Sequence, residues 1–385
     1  MKKKFLRDLA DIQTGPFGSQ LHKEDYVEVG TPIVTVEHLG NRVFTEQNLP
    51  KVSDADKSRL SKYVLAEGDI VFSRVGSVDR CSFVDAEHDG WMFSGRCLRV
   101  RPYEEIDPLY LYYYFCLNDT KQFVRNIAVG ATMPSINTKL LGEVEIAYPD
   151  ISEQKKIAQM LSLIDSKIEE NQKINENLQQ QAQAIFSKMF ETEDADLWNS
   201  GTLSDIAEIT MGQSPSGNSY NEDGQGTVFF QGRAEFGFRF PTVRLFTTEP
   251  KRMALKNDTL MSVRAPVGDL NIAHEDCCVG RGLAAIRSKD NHQSFVHYTM
   301  FSLQKELDIF NGEGTVFGSI NRNSLNAMPI KLPPQELIDE FEDLVSPMDA
   351  LILSNHDATC RLKAIRDTLL PRLLSGELDV SDFDI

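Results

Sequence analysis

Gly130-Ala131-Thr132-Met133-Pro134-Ser135-Ile136-Asn137 and Gly314-Thr315-Val316-Phe317-Gly318-Ser319-Ile320-Asn321 stand 184 residues apart in a chain of 385. The offset then persists without a gap, through Leu141 and Leu325, Pro149 and Pro333, Asp165 and Asp349, Asn171 and Asn355, Leu178 and Leu362. Upstream the chain also repeats, but the offset drifts. Leu9-Ala10-Asp11-Ile12 ahead of Gly15 returns as Ile206-Ala207-Glu208-Ile209 ahead of Gly212, 197 residues on. Gly68-Asp69-Ile70-Val71-Phe72-Ser73-Arg74 resembles Asn257-Asp258-Thr259-Leu260-Met261-Ser262 at 189, and Gly95-Arg96 returns as Gly280-Arg281 at 185. An offset that drifts early and holds late describes variable domains joined to an invariant element, repeated as a pseudo-two-fold.

The invariant element has the pattern of a long helix. Ile157, Leu161, Ile164, Ile168, Asn171, Asn175, Leu178, Ala182, Ile185 and Met189 alternate spacings of four and three. Its copy supplies Phe341, Val345, Met348, Ile352, Asn355, Thr359, Leu362, Arg366, Leu369 and Leu373. A seven-residue period keeps one seam facing a partner helix. Helices of roughly 55 Å have little reason to persist alone in water. Polar residues fall at matching seam positions, Asn171 and Asn175 against Asn355 and Thr359, and buried polar groups set register. The two helices are expected to pair, antiparallel, as a coiled-coil spacer. Pro347 and Pro371 are expected to kink or end the second one.

The expected division is a mixed domain over 1–150, a helix over 151–190, a linker over 191–198, a second mixed domain over 199–334, a helix over 335–374 and an acidic tail over 375–385. The mixed domains read as α/β (α+β). Short strands are expected at 69–73, 97–100, 259–263 and 283–286. Asp107-Pro108 opens an expected helix Leu109–Phe123, matched by Ser294–Phe310. Its Tyr112-Tyr113-Tyr114-Phe115 run invites a base-stacking reading, but at helical spacing those rings diverge and are expected in the core.

The composition is 41% hydrophobic and 25% charged, which suits globular domains with a sizeable core. No run of eighteen apolar residues is present, so no membrane span is expected. Six scattered cysteines without CxxC spacing fit a reducing compartment, the cytoplasm, and argue against a zinc knuckle. The net charge is −17, and taken whole it opposes binding a polyanion. The distribution is uneven, however. Residues 151–198 and 335–385, about a quarter of the chain, hold −12 of it, while 1–150 carries −4 and 199–334 only −1.

Catalytic constellations are missing. The chain has no GxxxxGK[ST], HExxH, GxSxG or GxGxxG, and its histidines form no ligand ladder. His88 beside Asp85 and Glu87 reads as a polar surface loop. Pro149-Asp150 before Glu153-Gln154-Lys155 has the letters of a nuclease motif, but the spacing is too short for two carboxylates on adjacent strands. No catalytic, cofactor or metal residue is assigned. What remains is two-fold presentation by two related domains, which suits two patches on a long partner such as duplex DNA. Candidate contacts are Arg74, Arg96, Arg99, Lys121, Arg125 and Lys139 in the first domain. In the second they are Arg233, Arg239, Arg244, Lys251, Arg252, Arg264, Arg281 and Arg322. Arginine suits guanine edges and phosphates, and the excess acids lie in the other segments.

The sequence resembles the specificity (S) subunits of type I restriction–modification systems along nearly its whole length. The closing Ile365-Arg366-Asp367-Thr368-Leu369-Leu370-Pro371-Arg372-Leu373-Leu374-Ser375-Gly376-Glu377-Leu378 and its partial copy Ala184–Phe190 carry the likeness, with Leu332-Pro333-Pro334 and the Ser-Ile-Asn segments. The resemblance implies two target-recognition domains reading a bipartite double-stranded DNA sequence across a non-specific gap. It also implies that the conserved helices dock two methyltransferase (M) subunits. S-adenosylmethionine, ATP and Mg would then be bound by the M and restriction (R) subunits, and this chain would do no chemistry. Two departures stand out. The familiar Pro-Pro-x-x-Glu-Gln lead into each helix is degraded in both copies, and the chain is very acidic for a DNA reader. The acidity keeps open a reading from another class, a scaffold or adaptor of the same fold that binds only proteins.

Overall fold

The computed structural model describes residues 1–16, 18, 20–312 and 318–380. The loop residues Gly314 to Phe317 and the last five residues of the acidic tail lie outside the described residues. The chain divides into two compact units, Met1–Glu170 with Ala358–Ile385, and Asn171–Asp357. Each unit holds one mixed domain together with part of each long helix.

In the first unit an antiparallel sheet runs in the order Ala10–Thr14, Cys97–Pro102, Ile70–Ser73, Cys81–Phe83. Ile12 and Ile70 flank Val100 in register. A second sheet orders Tyr26–Val27, Lys51–Val52, Thr31–Val34 and Met92–Phe93, the last pair parallel. Lys2–Phe5 pairs with Glu145–Tyr148 at the approach to the first long helix. The core is continuous from sheet to helices: Phe72, Leu98, Val100, Tyr113 and Phe115 share one apolar cluster with Ile157, Leu161, Leu370 and Leu373.

The second unit repeats this plan. Its antiparallel sheet orders Ala207–Met211, Leu283–Ser288, Thr259–Ser262 and Leu270–Ile272, with Ile209 and Thr259 flanking Ile286. The companion sheet has five strands and again one parallel pair, Thr227–Phe230 beside Cys277–Val279. Asn199–Thr202 pairs with Pro329–Leu332.

The repeated motifs have local physical causes. Asn137 accepts a hydrogen bond from Leu140 N at 2.9 Å and Asn321 from Ser324 N at 2.9 Å, so each Ser-Ile-Asn ends in a helix cap. The isoleucine before it is buried in both units. A Cβ on Gly15 would meet Ser94 O at 2.1 Å, and one on Gly212 would meet Gly280 O at 2.1 Å, so only glycine fits where two backbones close on each other. Asp69 and Asp258, both buried, receive bidentate bonds from Arg101 and Arg287 and accept from the backbone N of Ala66 and Leu255. These clamps close the turn ahead of each central strand.

The long helices run Ile151–Phe190 and Gln335–Leu374, each of 40 residues. In the first unit Ile157, Ala158 and Leu161 share a cluster with Leu370, Leu373 and Leu374. In the second, Ala182, Phe186 and Phe190 share one with Phe341 and Val345. The start of one helix therefore lies by the end of the other, as antiparallel pairing requires. Every residue of the expected seam is buried or half-buried. Asn175 donates to Ile352 O at 3.1 Å and accepts from Asn355 Nδ2 at 2.9 Å, a polar lock within the second unit.

Several expectations need correction. Pro347 and Pro371 do not end the second helix, which is unbroken from Gln335 to Leu374. Each proline removes one N–H, and the buried neighbours Val345, Leu370 and Leu373 outweigh that loss. The expected helix Leu109–Phe123 is two helices, Pro108–Cys116 and Asn118–Ile127, divided at the extended backbone of Leu117. Its counterpart is likewise broken into Gln293–Ser302 and Gln304–Asp308, with a final 3-10 turn at Ile309–Asn311. Tyr112, Tyr113 and Phe115 are buried, in keeping with a core role. His88 is not a surface group: it is 2% exposed, bonded to Asp85 at 2.5 Å and edge-on to Trp91 and Phe44.

His297, on the helix Gln293–Ser302, is fully buried, with Nδ1 3.1 Å from Thr259 Oγ1. Burial, reinforced by the Arg239 charge, holds its imidazole well below the usual range. The unfolded chain accepts a proton as pH falls through about 6.5, and the folded chain refuses it. The stability contributed is intact above that pH and declines below it by up to about 1.4 kcal/mol per pH unit. Urea unfolding of wild type and His297→Gln at pH values of about 7.5 and 5.5 is expected to show the larger acid loss in wild type; parallel losses would contradict it.

Candidate nucleic-acid interface

The strand Ile70–Ser73 leaves its sheet at Arg74, whose N donates to Arg96 O at 2.8 Å and whose O accepts from Ile136 N at 2.9 Å. Arg74 Nη1 donates to Gly95 O at 3.0 Å, and Gly76 N donates to Pro134 O at 2.8 Å. Three segments, 74–76, 95–96 and 129–136, are thereby knitted into one rim. Lys139 follows in the helix that Asn137 caps, and it is exposed.

The second unit builds the same rim. Val263 N donates to Gly282 O at 3.0 Å, Ile320 N to Val263 O at 3.1 Å and Ala265 N to Gly318 O at 3.0 Å. The positions of Arg74 and Arg96 are taken by Val263 and Gly282, with Arg264 and Arg281 each one residue away on the same turns, and Arg322 lies in the helix that Asn321 caps. Arg96, Lys139, Arg264, Arg281 and Arg322 are exposed and have no carboxylate partner among the described residues. Met133 and Val129 are exposed beside the first rim, at 65% and 55%. Repeated exposed cations on backbone-braced turns form a surface able to grip phosphate and reach base edges.

The remaining candidates divide. Lys251 and Arg252 are exposed on the turn before Met253–Ala254 with no ion-pair partner among the described residues, and Lys121 is half-buried. Arg125 is tied to Asp79 at 2.5 Å, Arg233 to Asp269, and Arg244 to Glu235 at 3.0 Å and Glu222 at 3.2 Å. Arg99 and Arg239 are not surface cations. Arg99 is 5% exposed, with Nη2 on Asp11 at 2.6 Å, and Arg239 is 3% exposed, bonded to Asp349 at 2.5 Å and Tyr298 at 3.1 Å. The expectation that the acids lie elsewhere fails for these five, because carboxylates of their own domains, and Asp349 of the second helix for Arg239, pair with them. Sequence reading passed over Arg101 and Arg287, although their positions repeat with those of Asp69 and Asp258 and could have revealed the clamps.

The nuclease-like letters also have a structural use. Asp150 Oδ1 caps the first long helix, accepting from Ser152 N at 3.0 Å and Glu153 N at 3.1 Å. Gln154 is fully buried and joins Asp107 N at 2.8 Å to Pro149 O at 3.0 Å. Its counterpart is Ile338; in the second unit Ser294 N and Phe295 N, which match the Leu109 N and Tyr110 N capped by Asp107 in the first, donate to Glu342 at 3.2 and 3.1 Å. In both copies the long helix thus holds the start of the domain helix, through Gln154 in the first and Glu342 in the second. Among the described residues no group of His, Cys, Asp and Glu could hold a metal, and no helix is long and apolar enough to cross a membrane.

Comparison with known families gives two matches to the type I restriction modification DNA specificity domain, over residues 1–180 and 195–366. The chain belongs to this family. It is 31% identical over 401 residues to a Methanocaldococcus jannaschii protein named "Putative type I restriction enzyme MjaX specificity subunit", covering 97% of this chain and 93% of that one. It is 24% identical to the type I restriction enzyme MjaIX specificity subunit of the same organism, covering 98% and 94%. The crystal structure of a type I restriction-modification system S subunit from M. genitalium shares the fold, with a TM-score of 0.63 at 18% identity over 97% of this chain and 95% of that one. Specificity subunits are the non-catalytic members of these systems.

Within this specificity subunit, the unpaired and the buried arginines differ in what their loss does. Arg264→Ala and Arg281→Ala are expected to leave unfolding free energy within about 0.5 kcal/mol of wild type. Arg99→Ala and Arg239→Ala should each cost roughly 3 kcal/mol, because packed, paired side chains are removed. Denaturant unfolding of the four variants decides it, and equal losses across them would contradict the division.

Proposed function

We propose that this specificity subunit reads a bipartite duplex DNA target, one half-site per mixed domain, while its two long helices dock methyltransferase subunits. The recognition domains are taken as 1–150 and 199–334, and the docking helices as 151–190 and 335–374, with 191–198 a linker and 375–385 a tail. The observation that carries the reading is the duplicated rim, which bears Arg74, Arg96 and Lys139 in one unit and Arg264, Arg281 and Arg322, each one residue from the equivalent position, in the other. Lys121, Lys251 and Arg252 are auxiliary phosphate contacts, and the ion-paired Arg125, Arg233 and Arg244 could join only by exchanging partners.

Docking is supported by what the helices leave uncovered. Leu344, Leu351 and Ile365 are about half exposed, at 51%, 46% and 49%, and lie at multiples of seven along the second helix. Glu336, Asp339, Glu340 and Asp343 are exposed on its first turns. They favour the positive end of the helix dipole and keep phosphate away. In this division of labour the M subunits bind S-adenosylmethionine and methylate adenine, R subunits use ATP and Mg, and the present chain supplies the address in the cytoplasm.

Methylome sequencing of host DNA with and without the gene tests the proposal. A split adenine motif should vanish when the gene is removed; loss of no motif, with M subunits still bound to the chain, would favour a protein-only adaptor. A second expectation concerns length. Deleting one heptad from each helix should shorten the gap between half-sites, and a gap unchanged in the methylome of that variant would remove the helices from the measure.

A further inference from the structure

Each recognition domain meets its helices at a buried polar junction built on the same two residues. In the first unit Tyr113 donates to Asp165 Oδ2 at 2.8 Å, and Arg366 donates to Asp165 Oδ1 at 2.8 Å. Tyr113 belongs to the domain helix Pro108–Cys116, Asp165 to the first long helix and Arg366 to the second. In the second unit Tyr298 donates to Asp349 at 3.0 Å, and Arg239 reaches the same carboxylate at 2.5 Å. Arg239 also donates to Gln179 of the first long helix at 3.2 Å and lies over the Tyr298 ring. Asp165 and Asp349 are equivalent in the repeat, and so are Tyr113 and Tyr298.

The arginines are not equivalent. The counterpart of Arg366 is Ala182, which is fully buried and apolar. The loop arginine that matches Arg239 in the first unit is Arg42: Phe83 N donates to Arg42 O at 2.7 Å and Ile272 N donates to Arg239 O at 2.8 Å. Arg42 turns instead to Glu169, with bonds of 2.7 and 2.8 Å. The two copies therefore keep a Tyr–Asp–Arg junction while drawing its cation from different elements. Apolar packing alone would be cheaper, since burying charge carries a desolvation cost. Apolar contact is also non-directional and leaves a domain free to pivot on its helices. Hydrogen bonds from a tyrosine hydroxyl and a guanidinium, carried on separate elements, to one carboxylate are directional and favour a single orientation.

Resting on the reading above, we infer that Tyr113, Asp165 and Arg366 in one unit, and Tyr298, Asp349 and Arg239 in the other, are positioning residues that set the angle of each domain on its helices. They thereby determine which spacing of half-sites is accepted. A base-pair step changes a half-site's place by about 3.4 Å and roughly 35°, so a small pivot suffices to admit a neighbouring spacing.

The test uses the assembled methyltransferase complex and a plasmid library carrying the two wild-type half-sites with the gap varied one base pair at a time. Tyr113→Phe and Tyr298→Phe keep the rings and remove only the hydroxyls. Methylation at gaps one base pair longer or shorter is expected to rise about tenfold relative to the proper gap, with the half-site bases unchanged. Tyr110→Phe is the structural control, since its hydroxyl donates to Ala147 O at 3.0 Å within the domain itself. It should lose comparable stability without widening the gap profile. If Tyr113→Phe fails to fold, Arg366→Lys, which keeps the charge and loses the fork, is read the same way. An unchanged profile in the folded variants, or equal widening by Tyr110→Phe, overturns the inference alone. A wild-type complex that marks no split site overturns the reading it rests on.

Discussion

Burial of a seven-residue seam between two antiparallel helices is the constraint to which the rest of the chain answers. A helix of 40 residues, roughly 60 Å long, has no reason to persist in water until its apolar stripe is covered. In the first unit the cover comes from Leu370 and Leu373 against Ile157 and Leu161; in the second it comes from Phe341 and Val345 against Ala182 and Phe186. Both clusters reach into the recognition domains, through Tyr113 and Phe115 on one side and Phe295 and Tyr298 on the other. Helix pairing and domain folding are therefore one cooperative event in each unit, and an offset that stops drifting at Ser-Ile-Asn is what such coupling looks like in sequence.

What was legible beforehand follows from how local each cause is. The seam was readable because its period is intrinsic to helix geometry. The Ser-Ile-Asn pair was readable because a cap and a buried isoleucine fall within a few residues of one another. Arg99 and Arg239 were not, because their partners Asp11 and Asp349 lie far along the chain and a charge in sequence carries no sign of burial. Pro347 and Pro371 misled for the opposite reason: a local rule against proline was overridden by tertiary packing that no window of sequence contains. His88 belongs with them, since the Trp91 and Phe44 rings that enclose it come together only in the fold.

The two units also separate what a specificity subunit must keep from what it is free to vary. Sheet order, the Asp69–Arg101 and Asp258–Arg287 clamps, the glycine closures and the asparagine caps are common to both. The companion sheet differs by one strand, and the offset drifts across it. The differences between the two copies thus concentrate in loops and sheet margins, on a frame whose clamps, glycine closures and caps are duplicated.

The acidity, which looked like an objection to nucleic-acid binding, is a consequence of the same partition. Cations near a phosphate backbone are useful only when no carboxylate of their own chain neutralises them. Among the described residues Arg96, Arg264 and Arg281 meet that condition, while Arg99 and Arg239 have been spent on internal structure. The surplus acid sits on the helices and tail, where Glu336, Asp339 and Glu340 favour the start of the second helix. Screening over a Debye length of about 8 Å at physiological salt confines each charge to its own neighbourhood. Net charge is then the wrong quantity for judging this chain; the local sum within a Debye length of each rim decides whether phosphate is attracted.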